Sequence, residues 1–273
     1  MDPSHAQGGL RLVPTTTAAA ELLRLVAGPE DVLALPEQVD AWSAADWKSG
    51  GWEKLPRFPR YVAEPLLVLR PGMVVNHSWQ AAETTKILKD QGIRVLTLDS
   101  GTSYPELRGA IEALGTALVR ESRARAALDA LDARVARLAE QRARLEHVRA
   151  LVYTNDGSGG WASGSNTTSA TLLALAGLAN AAESSSGHAE MSFERLLALD
   201  PDLIVTGTGA RGEKSSPTVE MIERTSALQT LRARREKRYA VLPSELLSSD
   251  SQYLVDAAEQ LQQQAQLVLA EKR

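Results

Sequence analysis

The residues best suited to chemistry in this chain are indoles and imidazoles rather than paired acids. Five tryptophans stand against two phenylalanines, and Trp42, Trp47, Trp52, Trp79 and Trp161 all fall in or beside stretches that lack helical or strand periodicity. An indole offers a broad apolar face and one N–H donor, so tryptophans gathered on loops suit a large flat ligand such as a macrocycle or aromatic chelate. The competing expectation is that they fasten a long loop onto the body of the protein. His77 follows an apolar strand and His188 precedes a helix. A neutral imidazole at either position can coordinate a metal centre carried by such a ligand, whereas a lone loop histidine is otherwise simply solvated. A bare metal ion needs three or four protein donors, and only these two histidines and an uncertain carboxylate such as Glu83 come forward. Tyr61, Tyr104 and Tyr153 are further candidates for ligand contact, and Lys48, Lys54, Arg57, Arg60, Arg211 and Lys214 form a modest basic group with solvation as its equal explanation.

Three tempting motifs fail on chemistry. Gly207-Thr-Gly209-Ala-Arg-Gly212 spells a dinucleotide fingerprint after a strand, but Glu213-Lys-Ser-Ser-Pro217 is a poor opening for the helix it requires. The same stretch fails as a phosphate loop because Glu213 puts negative charge where phosphate would sit. Gly160-Trp-Ala-Ser163-Gly164 is not a nucleophile elbow, and no histidine is placed by sequence to activate Ser163. The glycines and serines there let backbone approach a ligand, or form an anion-binding nest at the next helix start.

The elements that must hold these residues are written twice. Glu64-Pro-Leu-Leu-Val-Leu-Arg-Pro-Gly-Met-Val-Val recurs as Glu194-Arg-Leu-Leu-Ala-Leu-Asp-Pro-Asp-Leu-Ile-Val, so that Glu64 falls on Glu194, Pro71 on Pro201 and Val75 on Val205 at one constant offset. Each copy reads as the end of a short helix, a proline that stops it and a buried strand. Strands and helices alternate in the first half, which favours a parallel sheet. Leu128, Leu131, Val135, Leu138 and Leu145 mark a long amphipathic helix between the halves, expected to pack within its own chain rather than as a coiled-coil dimer. The expected organisation is a disordered start over 1–10, an α/β lobe over 11–118, a bridging helix over 119–148 and a second α/β lobe over 149–273. The stretch from Pro36 to Arg60 reads as a long loop, and such loops are functional or mobile.

Composition narrows the classes. The chain has 273 residues, enough for two modest domains, and a net charge of −4 from 30 basic and 34 acidic residues, which disfavours nucleic-acid binding. It has no cysteine, and no apolar run approaches the length of a membrane span.

The order of these motifs resembles the substrate-binding proteins of bacterial ABC importers for iron chelates, haem and cobalamin. The carriers are Arg11-Leu-Val-Pro followed by Thr17-Ala-Ala-Ala-Glu21-Leu-Leu, the two Glu-to-Val repeats, Gly164-Ser-Asn before Leu172-Leu173-Ala-Leu-Ala-Gly177, and Ser192-Phe-Glu194. Gly72 departs from the pattern, standing where the second copy has Asp202. The resemblance implies two Rossmann-like lobes with parallel-rich central sheets bridged by one long helix, the class III binding-protein arrangement. It further implies a non-enzymatic, monomeric carrier outside the cytoplasmic membrane, with a signal peptide or lipoprotein anchor removed. The cargo would be a siderophore, haem or cobalamin bearing iron or cobalt, held in a cleft between the lobes; no intrinsic cofactor is expected. Trp161, Phe58, Trp79, Trp42, Trp47, Trp52, His77, His188, Tyr61 and Ser163 are then the ligand-binding candidates. Glu64 and Glu194 match the positions that meet arginines of the permease dimer; the plainer alternative is two solvated carboxylates favoured by the helix dipole. A cytoplasmic α/β enzyme acting on a cofactor-like molecule, a carrier of a bare metal ion and a membrane-tethered sensor built on the binding fold are the other readings.

Overall fold

The computed structural model describes residues 9–99, 101–157, 159–209 and 211–270; most of the expected disordered start lies outside them. The chain divides into two compact units, Met1–Ala130 and Leu131–Arg273.

In the first unit, β1 (Leu12–Pro14) leads into α1 (Thr17–Leu23), whose N-cap Thr16 accepts a hydrogen bond from the Ala19 amide at 3.0 Å. Six of the seven α1 residues are buried, Glu21 among them. What reads as an open loop over 36–60 is built from elements too short to show a period. These are β2 (Leu35–Pro36), α2 (Val39–Trp42), a 3₁₀ turn (Trp52–Lys54) and β3 (Arg57–Phe58), with β2 and β3 paired in parallel. Next come α3 (Ala63–Val68), β4 (Met73–His77), α4 (Ala82–Asp90), β5 (Arg94–Leu98) and α5 (Tyr104–Leu118). The sheet runs β1-β4-β5, all parallel, in register Leu12 to Met73 and Met73 to Arg94. Val13, Leu66, Val74 and Leu88 close its core against Phe58.

The division between units falls inside α6 (Glu121–Glu140). This helix is shorter than the expected 119–148. After Gln141 the chain tightens into a 3₁₀ turn, Arg142–Arg144, which tucks Leu145 into the core without another α-helical turn.

The second unit contains β6 (Arg149–Asn155), β7 (Gly160–Ser163), α7 (Thr168–Leu175), β8 (Ala179–Asn180), β9 (His188–Glu190), α8 (Phe193–Leu199), β10 (Leu203–Gly207), α9 (Pro217–Arg224), α10 (Arg232–Arg235), β11 (Tyr239–Leu242), α11 (Ser244–Leu247) and α12 (Tyr253–Ala270). Its sheet runs β11-β10-β6-β7-β9, with β8 beside β6. The β11, β10, β6 and β8 pairings are parallel, as an alternating strand–helix order demands, while β7 and β9 are antiparallel additions. Besides β10, β6 therefore serves two further partners: Arg149 and Ala150 pair with β8, and Tyr153 to Asn155 pair with β7. The repeat is visible here, since β4 and β10 occupy equivalent positions, each behind a short helix and a buried proline. Arg134 of α6 ties to α12 through Glu259 at 2.7 and 2.9 Å and Asp256 at 3.1 Å.

Candidate functional site

In the first unit most of the sequence candidates turn inward. Trp47 and Trp52 are 2% and 7% exposed and meet edge to face at 5.3 Å, with the Arg24 guanidinium over both rings at 4.7 and 5.2 Å. The Glu21 carboxylate accepts from Ser43 Oγ at 2.6 Å and the Ala44 amide at 2.9 Å. α1 thus anchors residues 43–52 at both ends, and the expectation that Trp47 and Trp52 present faces to a ligand is corrected: they pack this segment onto the unit. Phe58 is likewise a core residue of β3. Arg57 spends its guanidinium on Asp40 at 2.9 and 3.0 Å and on the Leu55 carbonyl, so it is not a free rim cation.

His77 is also corrected. It is the last residue of β4 rather than a loop residue, 2% exposed, with Nδ1 at 2.8 Å from Thr16 Oγ1. Burial lowers its pKa to about 4, so the ring is neutral and enclosed. Tyr61 is half-buried, and its hydroxyl contacts Thr85 Oγ1 at 2.8 Å and accepts from Asn76 Nδ2 at 3.1 Å. That hydroxyl is committed to the interior. Trp42 and Trp79 remain as the exposed indoles of this unit, at 59% and 63%, and Trp79 stacks on His77 with centroids 6.1 Å apart.

The second unit gathers the candidates on one surface. β7 pairs with β9 so that Trp161 lies opposite Glu190 and Ser163 opposite His188, while Thr154 of β6 lies opposite Trp161. Because side chains alternate along a strand, these five share one face of the ribbon. The opposite face, Tyr153 and Ala162, is sealed in the core. Trp161 is 49% exposed, and Thr154, His188 and Glu190 are exposed as well. Gly160 permits this arrangement: a Cβ there would stand 2.3 Å from the Tyr153 hydroxyl and 2.6 Å from the Met191 carbonyl oxygen. At the other end of β7, a Cβ on Gly164 would meet the Ser185 carbonyl oxygen at 1.9 Å.

Ser163 Oγ lies 3.1 Å from His188 Nδ1. The sequence places no histidine beside this serine; strand pairing does. Ser163 is buried beneath an exposed histidine, so the contact orients the imidazole through Nδ1, where a nucleophilic serine would need the reverse order of exposure. Among the described residues no group of three or more His, Cys, Asp or Glu side chains could hold a metal ion. Glu190 escapes a reading of the sequence because its neighbourhood is set by register, a signal that appears only once His188 and Trp161 are laid on paired strands.

Glu64 and Glu194 are both exposed in the first turn of equivalent helices. Their surroundings differ. Glu194 is held below the usual carboxylate range by its own backbone N–H and by the Ser192 hydroxyl, whereas α3 starts from Val62, which offers no side-chain cap. An open cavity of about 540 Å³ adjoins Glu194, lined by Asn155, Gly160, Met191, Phe193 and Met221 among others.

No helix among the described residues is long and apolar enough to cross a membrane. The chain is 24% identical over 204 residues to an uncharacterised ABC transporter substrate-binding lipoprotein, YvrC, of Bacillus subtilis, an alignment spanning 72% of this chain and 63% of that protein. Its fold is similar to that of the periplasmic heme-binding protein BhuT, solved with two hemes, at a TM-score of 0.81 and 21% identity, covering 96% of this chain and all of that one. RhuT, a periplasmic heme-binding protein from Roseiflexus sp. RS-1, matches at 0.77 and 20% identity over 95% of this chain and all of its own. Residues 43–246 match the sequence profile described as periplasmic binding protein, and with the doubled α/β architecture this places the chain in the periplasmic binding protein family, a family of substrate-binding transport proteins.

Proposed function

We propose that this protein captures a bulky, flat metal chelate, a siderophore complex, haem or a corrinoid, and delivers it to the permease dimer of an ABC importer outside the cytoplasmic membrane. The observation that carries the reading is the exposed ribbon face of the second unit, with Trp161 available for stacking and the exposed His188 engaged through Nδ1, which leaves Nε2 as the nitrogen for a ligand's metal. Two donors on that face, His188 and Glu190, are fewer than a bare ion requires, so the metal arrives with its own chelator. The metal is cargo. Ser163 acts by orienting the imidazole, and Trp42 and Trp79 of the first unit are the second set of candidate contacts. Glu64 and Glu194 are the proposed contacts for basic side chains of the permease. The names of YvrC, BhuT and RhuT support this reading.

The test is titration of the purified, monomeric protein with haem, cyanocobalamin and a panel of ferric siderophores, followed by tryptophan fluorescence and the ligand's visible spectrum. Saturable one-to-one binding by one of them, weakened by Trp161→Ala, is expected. Failure of every ligand to bind would overturn the reading.

A further inference from the structure

We propose that Glu190 selects the charge of the cargo, so that the ribbon face takes chelates of neutral or positive net charge and discriminates against polyanionic ones. The inference rests on the proposed function above and narrows it. Register places Glu190 directly across from Trp161 and beside His188, on the exposed face. Glu259 and Glu223 of this unit are spent on Arg134 and Lys237, whereas Glu190, like several other surface carboxylates here, has no ion-pair partner among the described residues; what sets it apart is its place across from Trp161. Arg195, the next basic residue along the chain, directs its guanidinium to Ser185 Oγ at 2.7 Å. The face itself therefore carries one carboxylate and no cation.

A flat ligand stacked on Trp161 would remove water from Glu190. An anionic arm brought there would add like-charge repulsion to the cost of desolvating both groups. A cationic or neutral ligand would be favoured twice, by the carboxylate and by the negative face of the indole beside it.

The experiment uses pairs of ligands that share iron and chelating groups and differ in charge: haemin against its dimethyl ester, and ferrioxamine B against its N-succinyl derivative. Dissociation constants are measured for the full chain and for Glu190→Gln and Glu190→Lys, which alter an exposed side chain and should fold. The wild type should prefer the less anionic member of the pair it binds by about tenfold, Glu190→Gln should shrink that ratio to about threefold or less, and Glu190→Lys should invert it. Equal affinity for the two members, preference for the anionic one, or a preference that survives Glu190→Gln would overturn the proposal and leave the carrier reading standing. Absence of binding by all four, together with cyanocobalamin and the wider siderophore panel, would remove both.

Discussion

Acidification offers the sharpest check on the interior of the first unit. The unfolded pKa of a histidine is about 6.5, and burial brings that of His77 to about 4. Between those values the unfolded chain binds a proton that the folded chain does not, so stability rises with pH across the window and is lost as pH falls through it. Each pH unit between the two values is worth about 1.4 kcal/mol, so the full window corresponds to roughly 3.4 kcal/mol, of which about 2.4 kcal/mol is lost between pH 7 and about pH 4.5. Urea unfolding of the wild type and His77→Gln at the two pH values isolates this contribution, because carboxylate titrations common to both proteins cancel in the difference. The wild type should lose about 2.4 kcal/mol more than the variant. Equal losses would refute the argument that His77 is a buried neutral residue. A change in the visible spectrum of bound ligand in His77→Gln would instead restore it as a metal ligand.

Other outcomes follow from the same geometry. Trp47→Ala should destabilise the fold by about 3–5 kcal/mol by chemical denaturation, whereas Trp161→Ala should leave stability within about 1 kcal/mol and weaken ligand binding about tenfold in the fluorescence titration. Arg134→Ala removes a partly exposed bidentate pair and should cost about 1 kcal/mol, less at high salt, measured by urea unfolding at two ionic strengths. Charge reversal at Glu64 and Glu194 together should spare ligand affinity and abolish uptake by cells expressing the cognate importer; unchanged uptake would sink the docking role.

What the sequence discloses and what it hides have different physical origins. The helix–proline–strand repeat is readable because its apolar residues are consecutive or periodic, and β4 and β10 stand where the repeat puts them. The segment around Trp47 and Trp52 reads as open because its order depends on Glu21 and Arg24, which sit on a helix more than a strand's length away in sequence and carry no local mark of that job. The Ser163–His188 contact spans 25 positions and rests on antiparallel pairing. His77 reads as a loop residue because the apolar run stops before it, yet the strand runs through it, and the last position of this buried parallel strand is interior.

The path from β9 into α8 has a consequence for how this chain can change. His188 and Glu190 lie on the strand, Ser192 caps the helix and Glu194 stands in its first turn, with no slack between them. Deleting one residue here would turn the imidazole to the buried face of the ribbon, or rotate the following carboxylate about 100° around its helix. Length variation should therefore accumulate further upstream, in the turn over 181–184 where Glu183 and Ser184 are exposed, because Gly187 is already held by backbone hydrogen bonds to Gly164 and Ser165. A designer wishing to swap cargo should exchange side chains along this stretch and leave its spacing untouched.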